Sequence, residues 1–173
     1  MKIFGIMIEI NCSNFDRSQI IDCSRMFSHC YSLKEINLGK LDFALSNNFS
    51  YMFYHCNNLK KLDVSYFNTY NSKSFKRMFC GCSKLKEINV SKFRTTNCEN
   101  IYSMFECCSS LESIDMLNWD MKNINDINYI FKGCSKLKNI KMNFNNDKKL
   151  EFYGVFSGLP EGGSFVWKKR NKL

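Results

Sequence analysis

A 26-residue internal repeat restricts the fold of this 173-residue chain more than any other feature. The dipeptide Met-Phe begins at residues 26, 52, 78 and 104, and Ile-Phe takes its place at residue 130. Cysteine, leucine and isoleucine columns follow in the same register, with no insertion between residues 26 and 142. A single unit of this length cannot cover its own apolar face, so neighbouring units are expected to stack.

Two periodicities within one unit predict its secondary structure. The alternation Ile88-Asn89-Val90 predicts a short strand with two side chains inward and one outward. The spacing of Phe75, Met78, Phe79 and Cys82 places four apolar side chains on one face of a short helix or helical turn. Each unit is therefore predicted to be strand, turn, short helix, turn, and the stacked strands are predicted to form a parallel sheet on one side.

The repeat also predicts the domain organisation and the core. Residues 26–142 form an array of five units, residues 1–25 a truncated N-terminal unit with a strand over Met7–Cys12, and residues 143–173 a C-terminal cap and basic tail. A closing strand is predicted over Ser164–Trp167. The predicted structural core consists of the Met, Phe and Cys columns: Met26, Phe27, Cys30, Met52, Phe53, Cys56, Met78, Phe79, Cys82, Met104, Phe105, Cys108, Phe131 and Cys134.

The segment Met78–Phe93, MFCGCSKLKEINVSKF, resembles the BspA-type leucine-rich repeats, which include a mycoplasma-type repeat of unknown function. The resemblance extends over about residues 7–159. It implies an α/β repeat fold, a right-handed leucine-rich-repeat solenoid with about five rungs. It also implies that the protein binds other macromolecules, often as a cell-surface adhesin or host-matrix binder, and that it has no catalytic activity.

Positive charge is concentrated in the C-terminal third of the chain. The net charge is +9, and residues 122–173 contain 11 basic and 4 acidic side chains. The basic end comprises Lys136, Lys138, Lys148, Lys149, Lys168, Lys169 and Arg170. An acidic or nucleic-acid-associated protein would be attracted there. Exposed aromatic residues do not interleave with these lysines, so only weak, non-specific nucleic-acid binding is predicted.

The cysteine pattern favours reduced thiols. Five of the ten cysteines occupy one column and are expected to act as small buried hydrophobic residues. Cys80, Cys98 and Cys107 lie outside that column and are expected to be exposed and reactive. The N-terminal segment lacks a cleavage signal after Glu9, so the protein is expected to be intracellular, or secreted or at the cell surface if a signal peptide was removed.

No cofactor, metal site or catalytic site is predicted. Zinc binding by His29 and His55 with their neighbouring cysteines is not expected, because adjacent side chains on a helix diverge by about 100°. The chain contains none of the G-x-S-x-G, G-x-x-x-x-G-K-[ST], G-x-G-x-x-G and H-E-x-x-H motifs. It also contains no run of about 20 apolar residues that would span a membrane.

The outward strand positions form the predicted partner-binding surface. They would line the concave face of a solenoid, and they are Glu35, Asn37, Lys61, Asp63, Glu87, Asn89, Asp115 and Lys141. The sequence thus predicts a non-enzymatic protein-binding module that uses this polar face and the basic end. Three alternatives stay open: a surface adhesin fragment, an inhibitor of a host nuclease or defence effector encoded by a mobile element, and a non-specific nucleic-acid binder.

Overall fold

Five short β-strands are the regular elements of the part of the chain that the structure describes. The computed structural model describes residues 9–13, 20–39, 41–144 and 150–169. The strands are β1 (Glu9–Asn11), β2 (Glu35–Asn37), β3 (Ser113–Met116), β4 (Asn139–Phe144) and β5 (Ser164–Lys169). β1 pairs with β2, and β3, β4 and β5 form a second sheet in that order. Every pairing is parallel.

The strand register follows the sequence repeat. Glu9 lies opposite Glu35, and Ser113 lies opposite Asn139, a separation of 26 residues in both sheets. The last pairing, Asn139 with Ser164, is one residue shorter. β5 occupies the segment where the closing strand was predicted, and β1 lies within the predicted strand Met7–Cys12, of which residues 7 and 8 lie outside the described residues. Each 26-residue unit, here called a rung, therefore packs on the next in register.

The sheet is interrupted in the middle of the array, where the sequence predicted stacked parallel strands. Residues 61–64 and 87–90 form no strand, so the strand expected over Ile88–Val90 is absent. The N–H of Lys60 still donates to the carbonyl of Lys34 (3.0 Å), and that of Glu112 to Lys86 (3.1 Å). Lys61 also pairs with Glu35, but only as an isolated bridge, so the register is kept here without a continuous strand.

The predicted short helix is also wrong. The segments 25–30, 51–56, 77–82, 103–108 and 129–134, together the turn face, are consecutive turns. In the second rung, Tyr51 and His55 have positive φ angles of 61° and 57°. Each is the third residue of a turn closed by a hydrogen bond, Met52 N–H to Phe49 carbonyl and Cys56 N–H to Phe53 carbonyl. Positive φ at this position is the signature of a type II turn.

The turns replace a helix because they give the backbone N–H groups hydrogen bonds both within a rung and to the next rung. The N–H groups of Tyr51, Phe53 and His55 donate along the stack, to Lys76, Met78 and Cys80 carbonyls of the next rung, at 2.8–2.9 Å. The intervening N–H groups close turns within their own rung. The apolar face predicted from Phe75, Met78, Phe79 and Cys82 is nevertheless real, since all four side chains are fully buried.

Two features dominate the core. The rings of Phe27, Phe53, Phe79, Phe105 and Phe131 stack with centroids 5.3–5.9 Å apart. Beside them, the thiols of Cys56, Cys82, Cys108 and Cys134 each donate to the carbonyl of a phenylalanine in an adjacent rung, at 3.0–3.2 Å. The predicted core residues are buried except Met26, which is only partly buried because it belongs to the first full rung and has fewer neighbours.

Candidate protein-binding surface

A groove of about 510 Å³ opens on the strand face, the side formed by residues 35–38, 61–64, 87–90, 113–116 and 139–142. Four successive rungs line it. The lining residues are Lys61, Leu62, Asp63, Glu87, Ile88, Asn89, Ser113, Ile114, Asp115, Asn139 and Lys141. Six of the eight predicted partner-binding residues are among them, whereas Glu35 and Asn37 lie on β2 and do not line the groove.

The groove spans two rungs without strands and the strands β3 and β4, and apolar side chains form its floor. Leu62 and Ile88 retain 9% and 8% of their surface, compared with 1% for Ile140 in the fully paired strand β4. Charged and amide side chains form the walls above these two residues. Binding sites for other molecules commonly combine an apolar floor with a few polar groups in this way.

The Asn and Asp side chains at the end of each strand segment have a structural role that the sequence interpretation missed. The Oδ1 atoms of Asn37, Asp63, Asn89 and Asp115 each accept a hydrogen bond from the backbone N–H two residues later, at 2.8–3.1 Å. Such Asx turns bend the chain out of the strand. The spacing Asn-x-Gly and Asp-x-Ser in the sequence carried this signal.

The turn at Asp63 also favours the charged form of that side chain. The hydroxyl and then the backbone N–H of Ser65 lower the pKa of the Asp63 carboxyl, so this side chain is ionised at neutral pH. Asp115 Oδ2 lies 3.6 Å from Lys141 Nζ, with both side chains about half exposed. An ion pair this exposed contributes little to stability, and both charges stay accessible to a partner.

Lysines form one edge of the groove. A second depression of about 740 Å³ adjoins the first and shares Lys61, Glu87 and Ser113 with it. Its other basic lining residues are Lys60, Lys84 and Lys86, which come from two successive rungs. Lys84 Nζ donates to Asn58 Oδ1 at 2.7 Å, which holds this ammonium group against the preceding rung.

The predicted basic end is divided in the structure. Lys136 and Lys138 are exposed just before β4, and the carbonyl of Lys138 accepts the N–H of Ser164 at the start of β5. Lys168 lies opposite Asn143 near the other end of β4. Lys168 is therefore four residues farther along β5 than Ser164, a distance of about 13 Å. Lys148, Lys149 and Arg170 lie outside the described residues, as do the side chains of Lys168 and Lys169.

The prediction of three exposed cysteines was wrong for two of them. Cys80 and Cys98 are buried, and only Cys107 is exposed. Burial raises the pKa of Cys80 to about 12, and the carboxylate of Glu106, 3.9 Å from its sulfur, adds to the effect. Burial likewise raises the pKa of Cys98 to about 12. For Cys80, part of this environment comes from Glu106 of the neighbouring rung, which a residue column cannot reveal.

We predict that a single thiol of the native protein reacts readily. All ten cysteines are free, and Cys107 is the exposed one. Partial burial and the nearby Glu106 raise the pKa of Cys107, so labelling is expected to be faster at alkaline pH. Iodoacetamide treatment at alkaline pH followed by peptide mass spectrometry should modify Cys107 first, and the other nine only after denaturation, because the reactive thiolate requires exposure. Cys107→Ser is the control and should abolish the fast phase. Comparable labelling of Cys80 or Cys98 in the native protein would contradict this burial pattern.

The geometry defines a repeat protein in which 26-residue rungs pack in register around stacked phenylalanines. Two overlapping stretches, residues 2–114 and 48–162, match the model of one family, so the chain belongs to the family described as Mycoplasma protein of unknown function, DUF285. No curated protein and no solved structure matches it.

The described residues contain no cluster of three or more His, Cys, Asp or Glu side chains that could hold a metal ion. None of the described segments forms a helix of the length and apolarity needed to cross a bilayer.

Proposed function

We propose that the protein is a non-enzymatic protein-binding module and that the strand-face groove is its binding surface. We propose further that its rungs form a right-handed leucine-rich-repeat solenoid of the BspA type. The parallel register of β3 and β4, offset by 26 residues, and the membership of the family support this architecture.

The groove itself is the observation that supports this function. It combines a partly exposed apolar floor with ionised walls, and it extends across four rungs. The rungs beneath it are joined by stacked rings and by hydrogen bonds of 2.7–3.0 Å on the turn face, so the surface is held rigidly. A rigid surface loses little conformational entropy when a partner docks, and this favours affinity.

Replacing the two groove carboxylates tests the proposal. Asp63→Asn combined with Asp115→Asn removes both negative charges but keeps an oxygen for each Asx turn, so folding should be preserved. We expect partners captured from the native host to bind the double variant about tenfold more weakly, equivalent to about 1.4 kcal/mol. Asp63→Lys with Asp115→Lys should abolish capture, although these changes also remove the turn hydrogen bonds.

Glu99→Lys with Glu161→Lys provides the matched control, because both glutamates are exposed and neither lines the groove. Side-by-side affinity capture and mass spectrometry should show partner loss for the groove variants alone. Circular dichroism melting of each protein would verify folding. Equal retention of the same partners by the wild type and both aspartate variants would place the binding surface elsewhere.

A further inference from the structure

Tyrosine rings and basic side chains alternate along the turn face. Arg25 Cζ lies 4.8 Å from the ring centroid of Tyr51, Arg77 Cζ lies 5.4 Å from that of Tyr102, and Lys132 Nζ lies 5.0 Å from that of Tyr129. A cation within about 6 Å of an aromatic ring is attracted to its face. These six side chains, here called the tyrosine–cation strip, come from successive rungs, and none lines the strand-face groove.

The strip is ordered by contacts among its aromatic rings. Tyr51 packs edge-to-face on Tyr54 at 5.3 Å, and Tyr129 packs in the same way on Tyr102 at 5.7 Å and on Tyr153 at 5.2 Å. Edge-to-face contacts fix ring orientation and are favourable in themselves. The basic groups therefore stand at defined positions before any partner arrives.

Positive charge on the strip exceeds negative charge. Lys76 Nζ also lies over the Tyr102 ring, at 5.2 Å, so two cations share one tyrosine. Glu106 is the acidic group in contact with the strip, and it pairs with Lys132 at 3.6 Å. Arg77 Nε is buried and has no hydrogen-bond acceptor among the described residues. The Arg77 side chain also makes a hydrogen bond with the side chain of Tyr102, so the unsatisfied atom is Nε, and buried polar atoms are rarely left unpaired.

We propose that the tyrosine–cation strip is a second interaction surface, which docks an acidic segment of a protein partner. Tyrosine and arginine are the residues enriched at the energetic centres of protein interfaces. The arginine fork recognises carboxylates with two parallel hydrogen bonds, and tyrosine hydroxyls supply further donors. Single-stranded nucleic acid fits less well, because bases need open ring faces for stacking, whereas the chain's own cations cover Tyr51, Tyr102 and Tyr129.

Binding of a defined acidic probe tests this assignment. Fluorescence anisotropy would compare a labelled twelve-residue peptide of alternating Glu and Ser with its Gln-Ser counterpart and with a twelve-nucleotide thymidine strand. The wild-type protein should bind the Glu-Ser peptide and not the Gln-Ser one. Lys76→Gln with Arg77→Gln should weaken that binding about tenfold, the effect of losing about 1.4 kcal/mol. Arg77→Lys should give an intermediate loss, because it keeps the charge without the fork.

Lys73→Gln with Lys122→Gln is the matched control, since both lysines are exposed, make no contact with the strip's tyrosines and carry the same total charge. It should change the affinity for the Glu-Ser peptide less than twofold, which is the small effect expected when a charge at the rim of an interface is removed. An equal loss in the control, no preference for Glu over Gln, or tighter binding of the thymidine strand that Lys76→Gln/Arg77→Gln abolishes would each overturn the proposal. None of these outcomes bears on the groove, because the strip variants leave it intact.

Discussion

Phe79→Ala is expected to lower the free energy of unfolding by about 3–5 kcal/mol, the usual range for removing a fully buried ring. Phe79 is the middle ring of the core stack, with Phe53 at 5.8 Å and Phe105 at 5.6 Å on its two faces. The substitution leaves a cavity between two rungs that hydrogen bonds on the turn face prevent from closing. Many domains are stable by only about 5–15 kcal/mol, so much of the native stability would be lost.

The same substitution at the end of the stack provides the control. Among the described residues, Phe27 has one stacking neighbour, Phe53 at 5.3 Å, and Phe27→Ala should therefore cost distinctly less than Phe79→Ala. Urea denaturation followed by circular dichroism measures both changes, and unchanged slopes would verify that the transition is still cooperative. Equal losses at the two positions would contradict a structure in which each rung is stabilised by the rung on either side.

The strand register could be predicted from the sequence, whereas the backbone of the turn face could not. Apolar residues at i, i+3, i+4 and i+7 converge on one side in a helix, and two consecutive type II turns bring Phe75, Met78, Phe79 and Cys82 together equally well. One column distinguishes the two turns from a helix, because every residue in it has positive φ. Its members are His29, His55, Gly81, Cys107 and Gly133. Two glycines in this column favour a turn over a helix.

The candidate surfaces were predictable to different degrees. Alternation in the strand segment located the groove walls, since outward positions of adjacent rungs must lie side by side. The turn-forming role of Asp63 and Asn89 required knowledge of where the chain bends. The tyrosine–cation strip was missed because the column that contains Arg25, Tyr51, Arg77 and Tyr129 mixes residue types. Most of its cation–π contacts also join residues 25 or 26 positions apart in the sequence.

Gly39→Ala should be the most damaging single-atom change at a turn, with an expected loss of about 3 kcal/mol from strain and overpacking combined. Gly39 has φ +60°, a conformation that residues with a Cβ rarely adopt. A Cβ here would lie 2.6 Å from the carbonyl oxygen of Cys12 and 2.7 Å from Cα of Ser13. Both are backbone atoms of the first rung, so the clash can be relieved only by separating β1 from β2.

Hydrogen exchange distinguishes that separation from a general loss of stability. The N–H of Cys12 donates to the carbonyl of Asn37 at 2.7 Å and should lose its protection in Gly39→Ala, while amides of β3 and β4 keep theirs. Gly162→Ala is the control, because Gly162 has a comparable φ of +73° but no atom within 4 Å of a new Cβ. Gly162→Ala should lower the free energy of unfolding by only about 1–2 kcal/mol, the cost of a left-handed backbone conformation in a residue with a Cβ. Equal losses in the two variants, with Cys12 still protected, would mean that the first rung does not pack closely against Gly39.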